Sequence, residues 1–400
     1  MSASVLGSLT LGYEPLWNAR RQRAGVRLVV EHHSNSAADA RHILAALSDL
    51  RASKAHIVLL SVSAPLLLND LLDHNDNPHI WIEVPDALLG DSLLAGRIRK
   101  ARQRGMAVVW HGSAGQSPSA TVADLFSQTL RTLSPEQALD ALRVSLRQHM
   151  DSGLSAPSGP QSPVVAGQIY LGLASQALVE HALDRQAVWG VVGWPSEEIL
   201  HAYRFRQIQP SRNLLDDLVR AIDADESLES LESSLCKEPL LTYRFLRYAN
   251  SAQLGARSEV GSIRQGLMVM GYTKLRAWLL SQWSHCSSDL NLDPIRTTMV
   301  LRARIMEQLC DAGAEDDLRH EVFLCGMFSQ MDLLLGEPLG AAIHRLPLPG
   351  RISSAVVGQS GPYAAWLEVS SILESGNTRL IRQVCQAHKI EPDEVNRALL

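Results

Sequence analysis

The sequence predicts an α/β barrel of the TIM type followed by an all-α domain. Three observations carry this. Up to about residue 195, short β-branched runs alternate with amphipathic helical patterns at roughly 25-residue spacing, as in parallel strands joined by helices. After about residue 205, apolar residues recur at helical spacing almost throughout. Between these regions Trp194–Gln209, with Pro195 near its start, Pro210 just past its end and charged residues between, suits a short helix or a hinge. The implied domains are residues 1–197 and 205–400.

The candidate strands are Arg27–Glu31, His56–Val62, His79–Val84, Met106–Trp110, Val164–Ile169 and Ala187–Val192. Ile43, Ala46, Leu47 and Leu50 are spaced for one helix face. Ser134-Pro135-Glu136-Gln137 supplies a cap, a proline at the first helical position and a glutamine that reaches back, with Leu139, Leu142, Leu146 and Met150 as the apolar face. Asp151–Pro163, rich in Ser, Gly and Pro, reads as a long surface loop because strand-like sequence resumes beyond it. In the second half Leu214, Leu215, Leu218, Val219 and Ile222 form one stripe, and Leu241, Phe245, Tyr248 and Ala252 another. Asp293-Pro294 offers an N-cap and an N1 proline, Gly313 a left-handed stop, and Pro392–Leu400 a last short helix.

Composition narrows the function. The chain has 400 residues, 46% apolar and 20% charged, enough for two domains with real cores. A net charge of −5 argues against nucleic acid, which favours a basic face. No run of roughly 18 apolar residues predicts membrane insertion, and no secretory signal is read at the start. Cys236, Cys286, Cys310, Cys325 and Cys385 are scattered without Cys-x-x-Cys spacing, so reduced thiols and a cytoplasmic location are expected. Lysines are confined to positions 54, 100, 237, 274 and 389.

The stretch from Glu238-Pro239-Leu240 through Leu246-Arg247-Tyr248-Ala249-Asn250-Ser251-Ala252, then Ser262-Ile263-Arg264-Gln265-Gly266 and Gly271, resembles the signature of HDOD domains. That resemblance implies a helical HD phosphohydrolase-like fold without its metal ligands. Where metal-dependent HD enzymes have a His-Asp pair, Gly326-Met327-Phe328-Ser329-Gln330 places Ser329 and Gln330, which carry no charge. The first half resembles EAL domains, barrel phosphodiesterases acting on cyclic di-GMP. Gly12-Tyr13-Glu14-Pro15-Leu16 resembles the opening motif, and Ser61, Glu83, Trp110-His111, Gly167, Tyr170 and Trp189 fall in the order of later landmarks.

The chemistry implied by that family is attack of a metal-activated water on a phosphodiester, which needs several anionic oxygen ligands. By the resemblance, Trp110 and His111 replace the paired aspartates, Ser61 an asparagine ligand, Asn18 an arginine, and Gly167 and Tyr170 late glutamates. No lysine lies between Lys100 and Lys237, so the catalytic lysine is missing. Glu14 and Glu83 remain, read as hydrogen-bonded relics or as a weak Mg²⁺ pair. His111 beside Trp110 reads as a histidine packed at the barrel mouth or half of a nucleotide cradle, and Trp81, Trp189 and Trp194 as space-filling core. An open, polar mouth with Glu14 facing Glu83 would favour a ligand, and a mouth plugged by Trp110, Trp189 or an N-terminal strand the adaptor. Asp70, Asp73 and Asp76 lack calcium-loop spacing, and Gly112 and Gly115 lack nucleotide-loop spacing. Asn250 reads as a helix-end tie or a ligand contact, and Arg244, Arg247, Arg264 and Arg276 as solvated charges or a patch for an acidic partner.

Together these features suggest a bacterial EAL–HDOD signalling protein acting as a non-catalytic adaptor. Its expected partners are two-component or cyclic di-GMP pathway proteins, with no cofactor and no nucleic acid. The alternatives are a cyclic di-GMP sensor and a residual phosphodiesterase using Glu14 and Glu83.

Overall fold

The computed structural model describes residues 5–33, 39–49, 56–150, 161–204, 207–254, 259–310 and 315–400. Leu50, Gly313 and residues 151–160 of the expected loop lie outside them. Eight strands, β1 (Leu9–Trp17), β2 (Arg23–His32), β3 (Ile57–Val62), β4 (Ile80–Pro85), β5 (Val108–Ser113), β6 (Gln128–Thr132), β7 (Ile169–Leu171) and β8 (Gly190–Val192), close into a barrel in sequence order. The helices set among and after them in the first half are α1 (Ala40–Asp49), α2 (Pro65–His74), α3 (Ser92–Gln103), α4 (Pro135–Met150), α5 (Gln176–Glu180) and α6 (Ser196–Tyr203). The second half is helical, with α7 (Arg212–Asp223), α8 (Leu228–Leu235), α9 (Pro239–Ala249), α10 (Ile263–Gln282), α11 (Asp293–Leu309), α12 (Asp316–Phe328), α13 (Met331–Leu335), α14 (Leu339–Ile343), α15 (Gly350–Val356) and α16 (Ala364–Leu373). Two helices follow, α17 (Thr378–His388) and α18 (Pro392–Leu399).

The chain divides into two compact units, Met1–Glu198 with Ile372–Leu400, and Ile199–Ser371. The last segment therefore belongs with the barrel, unlike the single 205–400 domain the sequence suggests. Periodicity identifies α17 and α18 as helices but not the surface they cover.

Strands β2 to β8 are parallel, whereas β1 runs antiparallel to both β2 and β8. The connection from Asn18 to Gln22 explains this, because a parallel crossover needs about a dozen residues or more. Asn18 closes the hairpin, its side chain accepting from the amides of Arg20 and Gln22 at 2.9 and 3.1 Å. Two strands, β1 and β6, are absent from the sequence expectation, and the expected Val164–Ile169 strand shrinks to one beginning at Ile169.

Alternation sends every second strand residue inward. Leu16, Leu59, Val109, Leu130, Ile169 and Val192 form an apolar floor inside the barrel, with Trp81 and Trp189 packed on it and their ring centroids 5.4 Å apart. Outside, α4 buries Ala141 and packs Ala138 and Leu142 against Leu178, Ala182 and Leu183. Leu139 and Leu146, expected on that face, are exposed instead. Short side chains occupy the close helix approach and leave the bulkier leucines outside.

In the helical unit, Pro239 occupies the first turn of α9, and the Glu238 carboxylate caps it by accepting from Leu241 N–H. Arg296 lies 2.9 Å from Glu238 and 2.7 Å from Asp293, both of its partners on the helix starts it ties together. Asp293 is the first residue of α11 rather than its cap, since its carboxylate is taken by Arg296.

Candidate functional site at the barrel mouth

Two residues beyond the floor on β3, β4 and β5 the lining becomes polar. Ser61 follows Leu59 on β3, Glu83 follows Trp81 on β4, and His111 follows Val109 on β5. Glu14 on the reversed β1 and Arg27 on β2 complete the layer, paired across the strands in register. It sits toward the C-terminal ends of the parallel strands, where barrel sites form.

Arg27 is its centre. The guanidinium grips Glu83 through both carboxylate oxygens, Nε to Oε2 at 2.7 Å and Nη2 to Oε1 at 2.9 Å. Nη1 donates to Glu14 at 2.6 Å and Nη2 to Ser61 Oγ at 2.8 Å. Ser61 donates to Glu83 at 3.1 Å, and His111 Nδ1 lies 2.7 Å from the same carboxylate. Burial would raise the Glu83 pKa, but hydrogen bonds and charge from Arg27 and His111 outweigh it and hold the carboxyl at about 2. For Arg27 burial opposes the charge, and Glu83 with Glu14 more than offsets it, raising the pKa above its ordinary value.

The carboxylates of Glu14 and Glu83 thus face each other across a resident cation. A pair of divalent ions needs mostly anionic ligands, and here one positive side chain already occupies the space between the anions. The donor set does not fit a two-metal centre. Among the described residues, no group of three or more His, Cys, Asp or Glu side chains is placed to hold a metal. Arg27 is the member that motif reasoning passed over. Its signal was present: one charged residue inside Val26-Arg27-Leu28-Val29-Val30, two positions from inward-facing Val29.

The mouth is covered by neither Trp110 nor Trp189. Trp110 is fully buried on the opposite face of β5 from His111, its Nε1–H donating to Asp86 at 2.9 Å with the Arg131 guanidinium 5.3 Å from its ring centroid. Trp189 belongs to the floor. What lies over β1 is the turn before α17. A Cβ added to Gly12 would come within 3.0 Å of the Gly376 Cα, and one added to Gly376 within 3.2 Å of the Glu14 carboxyl carbon. Gly376 has φ of +60°, which favours glycine independently. Glu14 and His111 keep 21% and 24% of their side-chain surface exposed.

The other sequence-selected residues lie apart from this layer. Gly167 is in an exposed turn ahead of β7, and Tyr170 is buried in the outer core with its hydroxyl accepting from Val165 N–H at 2.8 Å. Trp194 packs edge-on to Trp17. Asp70 and Asp73 serve separate partners, Asp70 pairing with His74 and Asp73 with Arg97.

In the helical unit, Asn250 ties the end of α9 to the next segment. Its side chain donates to Leu246 and Val260 carbonyls at 2.8 and 2.9 Å and accepts from Val260 N–H at 2.8 Å. Ser251 donates to the Tyr248 carbonyl, and Ser262 caps α10 ahead of buried Ile263. Leu246 is core, and Gly271 breaks α10 with φ of +67°. Ser329 folds back on the Gly326 carbonyl at 2.7 Å, and Gln330 precedes α13. The four arginines spread over different partners: Arg244 on Gln209, Arg247 over Tyr243, Arg264 on Glu229 and Arg276 on Asp223. No helix among the described residues is long and apolar enough to cross a membrane.

Comparison with known proteins adds the following. Residues 211–335 match the HDOD domain family. The chain is similar to uncharacterized protein YuxH of Bacillus subtilis (strain 168), 27% identical over 144 residues, covering 34% of each. It is also similar to cyclic di-GMP phosphodiesterase CdgJ of Vibrio cholerae serotype O1, 22% identical over 196 residues, covering 49% of this chain and 45% of that protein. The chain thus spans less than half the length of these curated relatives. Among solved structures, the MmoQ response regulator of Methylococcus capsulatus overlaps 48% of this chain and 98% of its own at 16% identity and a TM-score of 0.39. The EAL domain of Mycobacterium smegmatis DcpA overlaps 46% of this chain and 90% of its own at 11% identity and a TM-score of 0.30. An eight-stranded barrel thus precedes, in the sequence, the residues that match the HDOD domain family.

Proposed function

We propose that this protein is a component of cyclic di-GMP signalling that acts by binding partner proteins and does not hydrolyse the nucleotide. The observation that carries the reading is Arg27 bridging Glu14 and Glu83. Metal-assisted hydrolysis of a phosphodiester at neutral pH, the route that the resemblance implies, needs a cation that acidifies water and a base that takes its proton. A guanidinium stays protonated and does neither. Three of the four carboxylate oxygens already accept from it, and His111 is held on Glu83. The turn at Gly376 further narrows access to Glu14. The similarity to CdgJ supports the pathway, and the HDOD match supports a binding role for the helical unit. The partners we propose are two-component or cyclic di-GMP pathway proteins, met in the cytoplasm.

Calorimetric titration of cyclic di-GMP into the full chain with Mg²⁺ or Mn²⁺, with chromatography of the products, tests this. The expected result is no cleavage. Saturable binding without cleavage would make the barrel a sensor, and product formation abolished by Glu14→Ala would overturn the proposal.

A further inference from the structure

A cavity lies in the barrel unit, lined by no residue of the polar layer. It has a volume of about 320 Å³ and is walled by the start of β1, the residue after β2, and helices α17 and α18. One end is polar. Arg382 Nη1 donates to His33 Nδ1 at 2.9 Å, which places the ring proton on Nε2, 2.5 Å from Thr10 Oγ1. Burial, and then the charge of Arg382, hold the His33 pKa below its usual value, in keeping with a neutral ring that accepts from arginine. The rest of the wall is mostly apolar, formed by Leu9, Ile381, Cys385, Ile390 and Val395, with Gln386 and Asn396 as its further polar members. Among the described residues that line it there is no carboxylate, and the anionic charge acting on His33 is that of Glu31, outside the lining.

The walls are fixed. Asn396 on α18 accepts from Leu11 N–H at 3.2 Å and donates to the Leu6 and Leu9 carbonyls at 2.7 and 2.9 Å. Helix and strand are thereby locked together behind the cavity. A cationic head position backed by a rigid apolar floor selects a ligand with one anionic end and a hydrocarbon body. The volume lies at the low end of ligand sites, the scale of an unbranched chain of about eight carbons.

We infer that this cavity binds a small amphiphilic carboxylate, its head on Arg382 and its tail along Leu9, Ile381 and Val395. A guanidinium offers five donors in a planar fork, so one can hold His33 while others meet a carboxylate. The site shares no residue with the polar layer, so it stands or falls independently of the proposed function.

The test is calorimetric titration of octanoate into the full chain. Saturable binding is expected, with 1-octanol weaker by at least about tenfold because it lacks the charge. Butanoate is expected to be weaker by at least about tenfold, because each lost methylene forfeits burial. These comparisons use the unaltered protein. Arg382→Gln should weaken octanoate by about tenfold or more, and Arg382→Lys, which keeps the charge but not the planar fork, by less than Arg382→Gln. Absence of saturable binding would overturn the inference, as would equal affinity for 1-octanol. So would unchanged affinity in Arg382→Gln when its circular dichroism matches the parent.

Discussion

Burying Glu83 inside the barrel favours its protonated form, yet the cluster around it holds the carboxylate charged. This has a consequence for stability. The folded pKa, at about 2, lies below the ordinary carboxylate value, so the stabilisation is complete above about pH 4.5 and is lost as pH falls toward 2. A shift of that size corresponds to about 3 kcal/mol. Glu83→Gln should therefore be less stable than the parent by about 3 kcal/mol at pH 7, with the gap closing as pH approaches 2. Urea unfolding midpoints across this range decide it, and a gap constant with pH would mean Glu83 carries no such linkage. At this scale the sequence told part of the story. Glu14, Ser61, Glu83 and His111 were legible as a set because a family motif orders them. Arg27 was not, because no ligand pattern expects a cation there, and only the pairing of β2 and β4 on either side of β3 brings it to Glu83.

Among the elements, β1 and α18 depend on one side chain. Asn396 satisfies one amide and two carbonyls of the segment from Leu6 to Leu11, and it is 1% exposed. Asn396→Leu keeps the volume but strands those groups away from water, at a cost of about 1–3 kcal/mol for each one left unpaired. A loss of about 3 kcal/mol or more is expected in chemical unfolding. A loss below about 0.5 kcal/mol would mean that water replaces the amide. The elements also show where pattern reading stops. The Gly12 and Pro15 breakers masked β1, and β6, Gln-Thr-Leu-Arg-Thr, has a single strongly apolar residue. In α4 the leucine tally pointed to the wrong face, because hydrophobicity counts size while packing rewards close approach by alanine.

For the whole molecule, the chain crosses between its two units twice, near Glu198 and near Ser371. The helical unit is an insertion in the barrel unit. No periodicity reports this, since α17 and α18 look like any other amphipathic helices until their apolar faces meet Leu9 and Gly12. A chain stopped at Ser371 should therefore leave the barrel unit open to limited trypsin while residues 199–371 persist as a resistant fragment, read by mass. Equal resistance of the barrel with and without the closing segment would show that β1 needs no cover. The same arrangement sets a clock during synthesis. Strand β1 is made early, but the turn at Gly376 that seats against Glu14 follows only after several hundred further residues. At ribosomal speeds of about 5–20 residues per second that is roughly 20–70 seconds. Through that interval the helical unit has been made and can fold, while the barrel mouth stays uncovered and its first strand lacks its last neighbours.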